Sequence, residues 1–264
     1  MGTEPDHGED TYRGSDRLVG KRAVITGGDS GIGRAVAVAF AREGADVLIV
    51  HLDIEQEDAA TTLKLVEQSG HKAVALAADV RDEQACQTII DRAVQDLGGI
   101  DVLVANAAYQ MAQPGGIADI TTEQFDRVMK TNLYGTFWLS KMALEHLPEG
   151  GSSIITSSVQ AATPSPELIG YAMTKAALVS LTKSLAQVVA EKGVRVNAVA
   201  PGPIWTPLIP ATMAEEKVAT FGESTPLGRA GQPAELAPAY VFLASQESSY
   251  VSGAVLPVTG GQPF

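Results

Sequence analysis

Short runs of β-branched and apolar residues return at intervals along this 264-residue chain, and each is separated from the next by a stretch long enough for a crossover helix. The runs are Arg22 to Thr26, Asp46 to Val50, Ala73 to Ala77, Val102 to Ala105, Ser153 to Ser157, Arg195 to Ala200 and Val255 to Val258. Helix patterning fills the gaps, at Gly33 to Glu43, at about Glu55 to Gln68 and at Glu83 to Leu97. Strands joined through helices lie parallel, and right-handed crossovers place helices on both faces. The pattern therefore predicts an α/β fold with one seven-stranded parallel sheet and a ligand crevice at the carboxyl ends of its strands.

Nothing in the composition divides the chain. Hydrophobic residues make up 45% of it with no linker between two apolar regions, so residues 20–264 are expected to form a single domain. Residues 1–19 carry five acids against two arginines and read as a mobile or surface-draped arm. A net charge of −12 argues against nucleic acid and anionic membranes as partners. Cys86 is the only cysteine, and His7, His51, His71 and His146 lack ligand spacing, so neither a disulfide nor a metal site is expected. The acidic, polar start resembles neither a leader nor an anchor, and a cytoplasmic location is the expectation.

Two motifs carry the chemistry. After the first strand, Gly27-Gly28-Asp29-Ser30-Gly31-Ile32-Gly33 opens directly into an apolar helix. Glycines allow a tight turn and close backbone approach, and the helix N-terminus offers N–H groups to a pyrophosphate, so a dinucleotide site is favoured over an ordinary strand-to-helix turn. Further on, Tyr171 and Lys175 stand one helical turn apart and share a face. A nearby ammonium favours the phenolate and makes the tyrosine proton movable in both directions. A buried tyrosine beside a snorkelling lysine needs no function by itself, so neighbouring residues must discriminate.

Those neighbours are present. Ser158 lies thirteen residues before Tyr171, Asn132 sits in Lys130-Thr131-Asn132-Leu133-Tyr134-Gly135, Asn106 follows the fourth strand, and Asn197 precedes Pro201-Gly202-Pro203-Ile204. With the Gly-x-x-x-Gly-x-Gly spacing, this set resembles the short-chain dehydrogenase/reductase family over roughly Leu18 to Gly261. The resemblance implies a Rossmann fold with Asn132, Ser158, Tyr171 and Lys175 as catalytic residues. Tyr171 would give the proton, Ser158 would hold the carbonyl, Lys175 would tune Tyr171 and grip ribose, and the Asn132 main-chain carbonyl would hold a proton-relaying water. Cofactor contacts are implied at Gly27, Asp29, Ser30, Gly31, Ile32 and Gly33, at His51 and Leu52, at Asp79 and Val80, at Asn106, Ala107 and Ala108, at Tyr171 and Lys175, and at Pro201, Gly202, Ile204 and Thr206. The cofactor is NAD or NADP. His51 stands where NAD-preferring members place an aspartate and Leu52 where many NADP-preferring members place an arginine, and Asp29 would repel added phosphate, which leans the reading to NAD. Ala105, Ala108 and Thr259 depart from the family's usual residues.

The implied reaction is hydride transfer between a nicotinamide and the carbonyl or alcohol of a small molecule. Finer resemblance is to a bacterial subgroup labelled general-stress oxidoreductases, aldehyde reductases or glucose-dehydrogenase-like proteins. A substrate loop is expected at about residues 205–228, with Trp205 and Leu208 in an apolar wall or simply anchoring the loop, and with Tyr109, Gln110 and Gln160 near the substrate. A homotetramer follows from the resemblance, with Leu178, Leu181, Leu185 and Val188 recurring along one helix, although burial within the chain explains such a stripe equally well. The alternatives are a catalytically silent NAD(P)-sensing protein, a dehydrogenase acting on a sugar, and a sugar-nucleotide epimerase, whose longer chain and different glycine spacing are not found here.

Overall fold

A computed structural model describes residues 4–264. Seven parallel strands form one sheet in the order β3-β2-β1-β4-β5-β6-β7, with β1 at Arg22–Thr26, β2 at Asp46–His51, β3 at Ala73–Ala77, β4 at Val102–Ala105, β5 at Ser152–Thr156, β6 at Arg195–Pro201 and β7 at Val255–Val258. The strand order reverses between β1 and β4, where the first crossovers run one way and the later ones the other, and this opens a crevice at the carboxyl ends.

Alternation along the strands divides the core in two. Ala23, Ile25, Val47 and Ile49 face one side, where they meet α1 (Gly31–Arg42) and α9 (Pro233–Ala244); α2 (Gln56–Glu67) flanks α1 on this side. Val24, Leu48, Val50 and Leu103 face the other, against α3 (Glu83–Leu97), α5 (Gly135–Ala143) and α6 (Ile169–Val188). Both faces being covered, the strands are apolar on both sides, which is why they read as continuous runs. The remaining helices are α4 (Thr122–Met129) and the five-residue α7 (Leu208–Thr212) and α8 (Glu215–Ala219), the last two within the expected substrate loop.

Most boundaries differ from the sequence reading by one or two residues, whereas the helix expected from Tyr171 to about Lys192 runs over Ile169–Val188. Helix α1 begins at Gly31 because the second and third glycines of the turn already form its first turn. Helix α6 stops at Val188, and a 3-10 turn over Ala190–Lys192 leads to Gly193, whose φ of +67° ends the helical course. Between α4 and α5, Lys130–Tyr134 forms a π-helical turn that the apolar pattern did not foresee.

Residues 4–19 lie across the ends of α1 and α9, held by polar groups. Arg42 donates to the carbonyls of Gly8, Glu9 and Tyr12. The Glu43 carboxylate, with no exposed surface, accepts from Tyr12 Oη, from the main-chain N–H groups of Ser15 and Arg17, and from the Arg17 guanidinium. Burial opposes its ionisation, but these donors outweigh burial and hold its pKa at about 2. At the arm's start, Asp6 O accepts from Ala234 N in the first turn of α9 at 3.0 Å, and Asp6 N donates to Gln232 Oε1.

Candidate active site

The crevice is a cavity of about 730 Å³ running from the glycine turn to α7. At one end, Gly27 has φ +63° and Gly31 φ +51°, conformations that L side chains rarely adopt. A Cβ on Gly33 would lie 1.9 Å from Gly27 O, so only glycine lets α1 start this close to the turn. No side chain caps α1, and its first hydrogen bond is Arg34 N to Ser30 O, which leaves the N–H groups of Gly31, Ile32 and Gly33 outside the helical ladder. Such unpaired donors with a positive helix end fit a dinucleotide pyrophosphate. Thr206 closes this cradle from the far side, and a Cβ on Gly31 would meet its Cβ at 3.2 Å.

Strand ends set the middle of the cavity. Asn106 Nδ2 donates to Thr26 O and Gly27 O, its N–H donates to Thr26 Oγ1, and its Oδ1 accepts from Thr156 Oγ1, so one side chain fixes the ends of β1, β4 and β5. At the end of β2, the buried His51 ring turns back along the chain, with Nδ1 2.8 Å from Leu52 O. The Glu55 carboxylate accepts from Leu52 N at 2.8 Å. The two aspartates after β3 separate cleanly. Asp82 accepts from Ala85 N and caps α3, whereas Asp79 lines the cavity and pairs with Arg81, whose guanidinium bonds hold the Asp79 carboxyl below its usual range.

At the other end, Tyr171 and Ser158 both line the cavity, with Ser158 close enough to favour the Tyr171 phenolate. Burial pushes the Tyr171 hydroxyl up to about 12, with the neighbouring Ser158 hydroxyl working against it. Lys175 lies one turn on, with Nζ 5.3 Å from the Tyr171 ring centre and donating to Thr156 O at 2.7 Å. Burial pushes its amine down to about 7. Ser158 Oγ accepts from Gln160 N, which keeps its own proton for donation.

Asn132 is fully buried in the π-helical turn and does not line the cavity. Its Oδ1 accepts from Tyr109 N at 2.7 Å, and its Nδ2 donates to Tyr109 O and to Thr174 Oγ1. It thereby fixes the loop after β4 against α6 between Tyr171 and Lys175. Its main-chain carbonyl accepts from Thr136 Oγ1 at 2.8 Å.

Of the expected catalytic, cofactor and substrate residues, all but Gly33, Asn132 and Trp205 line this one cavity; the motif residues Gly28 and Asn197 lie outside it. Trp205 lies beside it, its ring 6.1 Å from that of Phe221, which does line it. Gln160 Oε1 is committed to Ser165 N and Gln110 Nε2 to Thr212 Oγ1. The sequence reading missed Glu55, Arg81, Arg127 and Thr212, all of which line the cavity. Arg127 stacks over the Tyr109 ring at 4.0 Å, a contact between α4 and the β4 loop that no local spacing signals. Among the described residues, no group of three or more His, Cys, Asp or Glu could hold a metal ion, and no helix is long and apolar enough to cross a membrane.

A dinucleotide cradle opening onto a tyrosine, a serine and a lysine defines a nicotinamide-dependent oxidoreductase, and comparison with known proteins places it further. Residues 27–262 match a family model described as enoyl-(acyl carrier protein) reductase. General stress protein 39 of Bacillus subtilis (strain 168) is 51% identical over 99% of this chain and 91% of its own length. NADPH-dependent aldehyde reductase 1, chloroplastic, of Arabidopsis thaliana is 45% identical over 99% of this chain and 92% of its own. A crystal structure of a short chain dehydrogenase from Burkholderia cenocepacia J2315 in complex with NADP is 34% identical, with a TM-score of 0.86, covering 93% of this chain and 98% of that one. This chain belongs to the short-chain dehydrogenase/reductase family, and it is an NAD(P)-dependent oxidoreductase acting on carbonyl or alcohol groups.

Proposed function

We propose that the chain reduces the carbonyl of a small aldehyde or ketone with NADPH, and that Ser158, Tyr171, Lys175 and Asn132 are the residues that do it. The observation that carries this reading is the convergence of Ser158, Tyr171 and the buried Lys175 on one end of the cavity, away from the glycine cradle, with Lys175 Nζ 5.3 Å from the Tyr171 ring centre. The bound cofactor supplies the hydride from its nicotinamide. Ser158 donates to the carbonyl oxygen and orients it. Tyr171, kept protonated by burial, gives its proton to the oxygen as charge develops there, so carbonyl plus hydride plus proton becomes alcohol. Lys175 would hold the ribose hydroxyls of a bound cofactor and, when protonated, eases proton loss from Tyr171. Asn132 secures the path by which Lys175 and Tyr171 are reprotonated.

The lean to NAD finds no support: the Arabidopsis relative is named for NADPH, and the Burkholderia structure holds NADP. Asp53 is exposed and outside the cavity, so it does not reach for a ribose 2′-OH in the manner of NAD-selective sites. Glu55 is the acid nearest Leu52, and its charge opposes a 2′-phosphate. Glu55→Gln keeps the acceptor for Leu52 N and is expected to raise the NADPH:NADH ratio of kcat/KM roughly three- to ten-fold.

A homotetramer in the cytoplasm is the wider reading. Of the Leu178, Leu181, Leu185 and Val188 stripe, Leu178 is buried in the chain's own core, Leu181 and Leu185 are partly buried against it, and only Val188 is left exposed. Tyr134, Phe137, Met173 and Val188 are the large apolar side chains left exposed along the π-helical turn, α5 and α6, and they support self-association there. The test of function is a panel of aldehydes, ketones, dicarbonyls and sugars with NADPH and NADH separately. Turnover of aldehydes or ketones favouring NADPH supports the reading, and no turnover across the panel would leave a cofactor-sensing protein.

A further inference from the structure

The loop after β4 is gripped at two consecutive residues. Asn132 holds both main-chain polar groups of Tyr109, at 2.7 and 2.9 Å. The next residue, Gln110, is 4% exposed and donates through Nε2 to Thr212 Oγ1 at 3.0 Å. Thr212 ends α7, and its hydroxyl is fully used: it donates to Leu208 O at 2.6 Å, which leaves its lone pairs for Gln110. Its carbonyl accepts from Ala112 N at 3.3 Å. Farther out, Gln113 N donates to Glu167 O, and the Glu167 carboxylate pairs with Lys217 of α8. The loop after β4 and the segment beside it thus hold the substrate loop through one buried side-chain bond, one main-chain bond and one exposed ion pair.

We infer that Gln110 and Thr212 are positioning residues that latch α7 over the nicotinamide end of the cavity, coupling closure of the substrate loop to the Asn132-held β4 loop. The exposed Glu167–Lys217 pair is screened by solvent, so the buried Gln110–Thr212 bond, with the longer Ala112–Thr212 main-chain bond beside it, carries most of the coupling. Gln110 therefore acts on the reaction through the loop it holds. The inference deepens the proposed oxidoreductase reading and rests on it for the identity of the site.

Lys217 is the only lysine or arginine between residues 205 and 228, so tryptic cleavage after it reports loop opening without any need for turnover. In NADPH-saturated enzyme, Thr212→Val is expected to speed that cleavage about five-fold, the equivalent of one net buried hydrogen bond. KM for the carbonyl is expected to rise by a similar factor, with a smaller change in kcat. Gln110→Ala should match it, the double variant should be no worse than either single one, and Thr212→Ser should restore both readouts. Wild-type cleavage and KM in Thr212→Val, or damage in Thr212→Ser equal to that in Thr212→Val, would overturn the latch. Absence of carbonyl turnover in wild type would defeat the functional reading while leaving the cleavage result to decide the latch.

Discussion

Lys175 is 1% exposed and has no acidic partner among the described residues, its amine resting on Thr156 O alone. Burying a charge without a counter-charge is costly, and this is why the amine is pushed down to about 7. The unfolded chain holds this proton up to the ordinary lysine range near 10.5, so between those values it binds more protons than the folded one and stability rises with pH. Lys175→Met is accordingly expected to raise Tm at pH 6 while lowering kcat roughly a hundred-fold, a split that calorimetry and steady-state assay together read out. Tyr171, pushed up to about 12, is an acid across the neutral range. Reduction should therefore proceed at neutral pH, whereas alcohol oxidation, which needs the phenolate, should climb as pH rises toward 10; parallel pH profiles of the two directions check the sign.

At the scale of elements, the glycine turn and the π-helical turn do most of the placing. Gly33→Ala would put a methyl 1.9 Å from Gly27 O, so α1 must retreat from the cradle. A loss of NADPH affinity of at least ten-fold by fluorescence titration is expected, with Tm lowered as well. This part was legible: glycine spacing between an apolar strand and an apolar helix dictates local backbone, and Tyr171, Lys175, Ser158 and Asp79 are fixed by where their strands and helix end. The π-helical turn was not. It is set by Asn132 reaching Tyr109 and Thr174 across two other elements, and by close approach of Gly135, whose Cβ would lie 2.7 Å from Val80 O. Likewise the latch residue Thr212 sits in an aperiodic segment whose two short helices left no pattern to read.

Across the whole molecule, alternating runs predicted the seven parallel strands because burial on both faces demands them, while strand order and crevice follow from handed crossovers. The arm was harder to read, because Arg42, Glu43, Tyr12 and Arg17 bind it by polar contacts that hydropathy does not register. Glu43→Ala would strand several buried donors and is expected to lower Tm by more than any exposed charge removal. Wild-type stability from Glu43, whose folded pKa is about 2, should persist above the ordinary carboxylate range and fade as pH falls toward that value. Self-association is read by sedimentation at micromolar concentration, where tetramer is expected and monomer would contradict it. The central claim concerns Tyr171, and the most direct measurement is Tyr171→Phe assayed for both NADPH binding and carbonyl reduction. Unchanged NADPH affinity with kcat reduced roughly 10²- to 10⁴-fold is the expected result; reduction at the wild-type rate would contradict it.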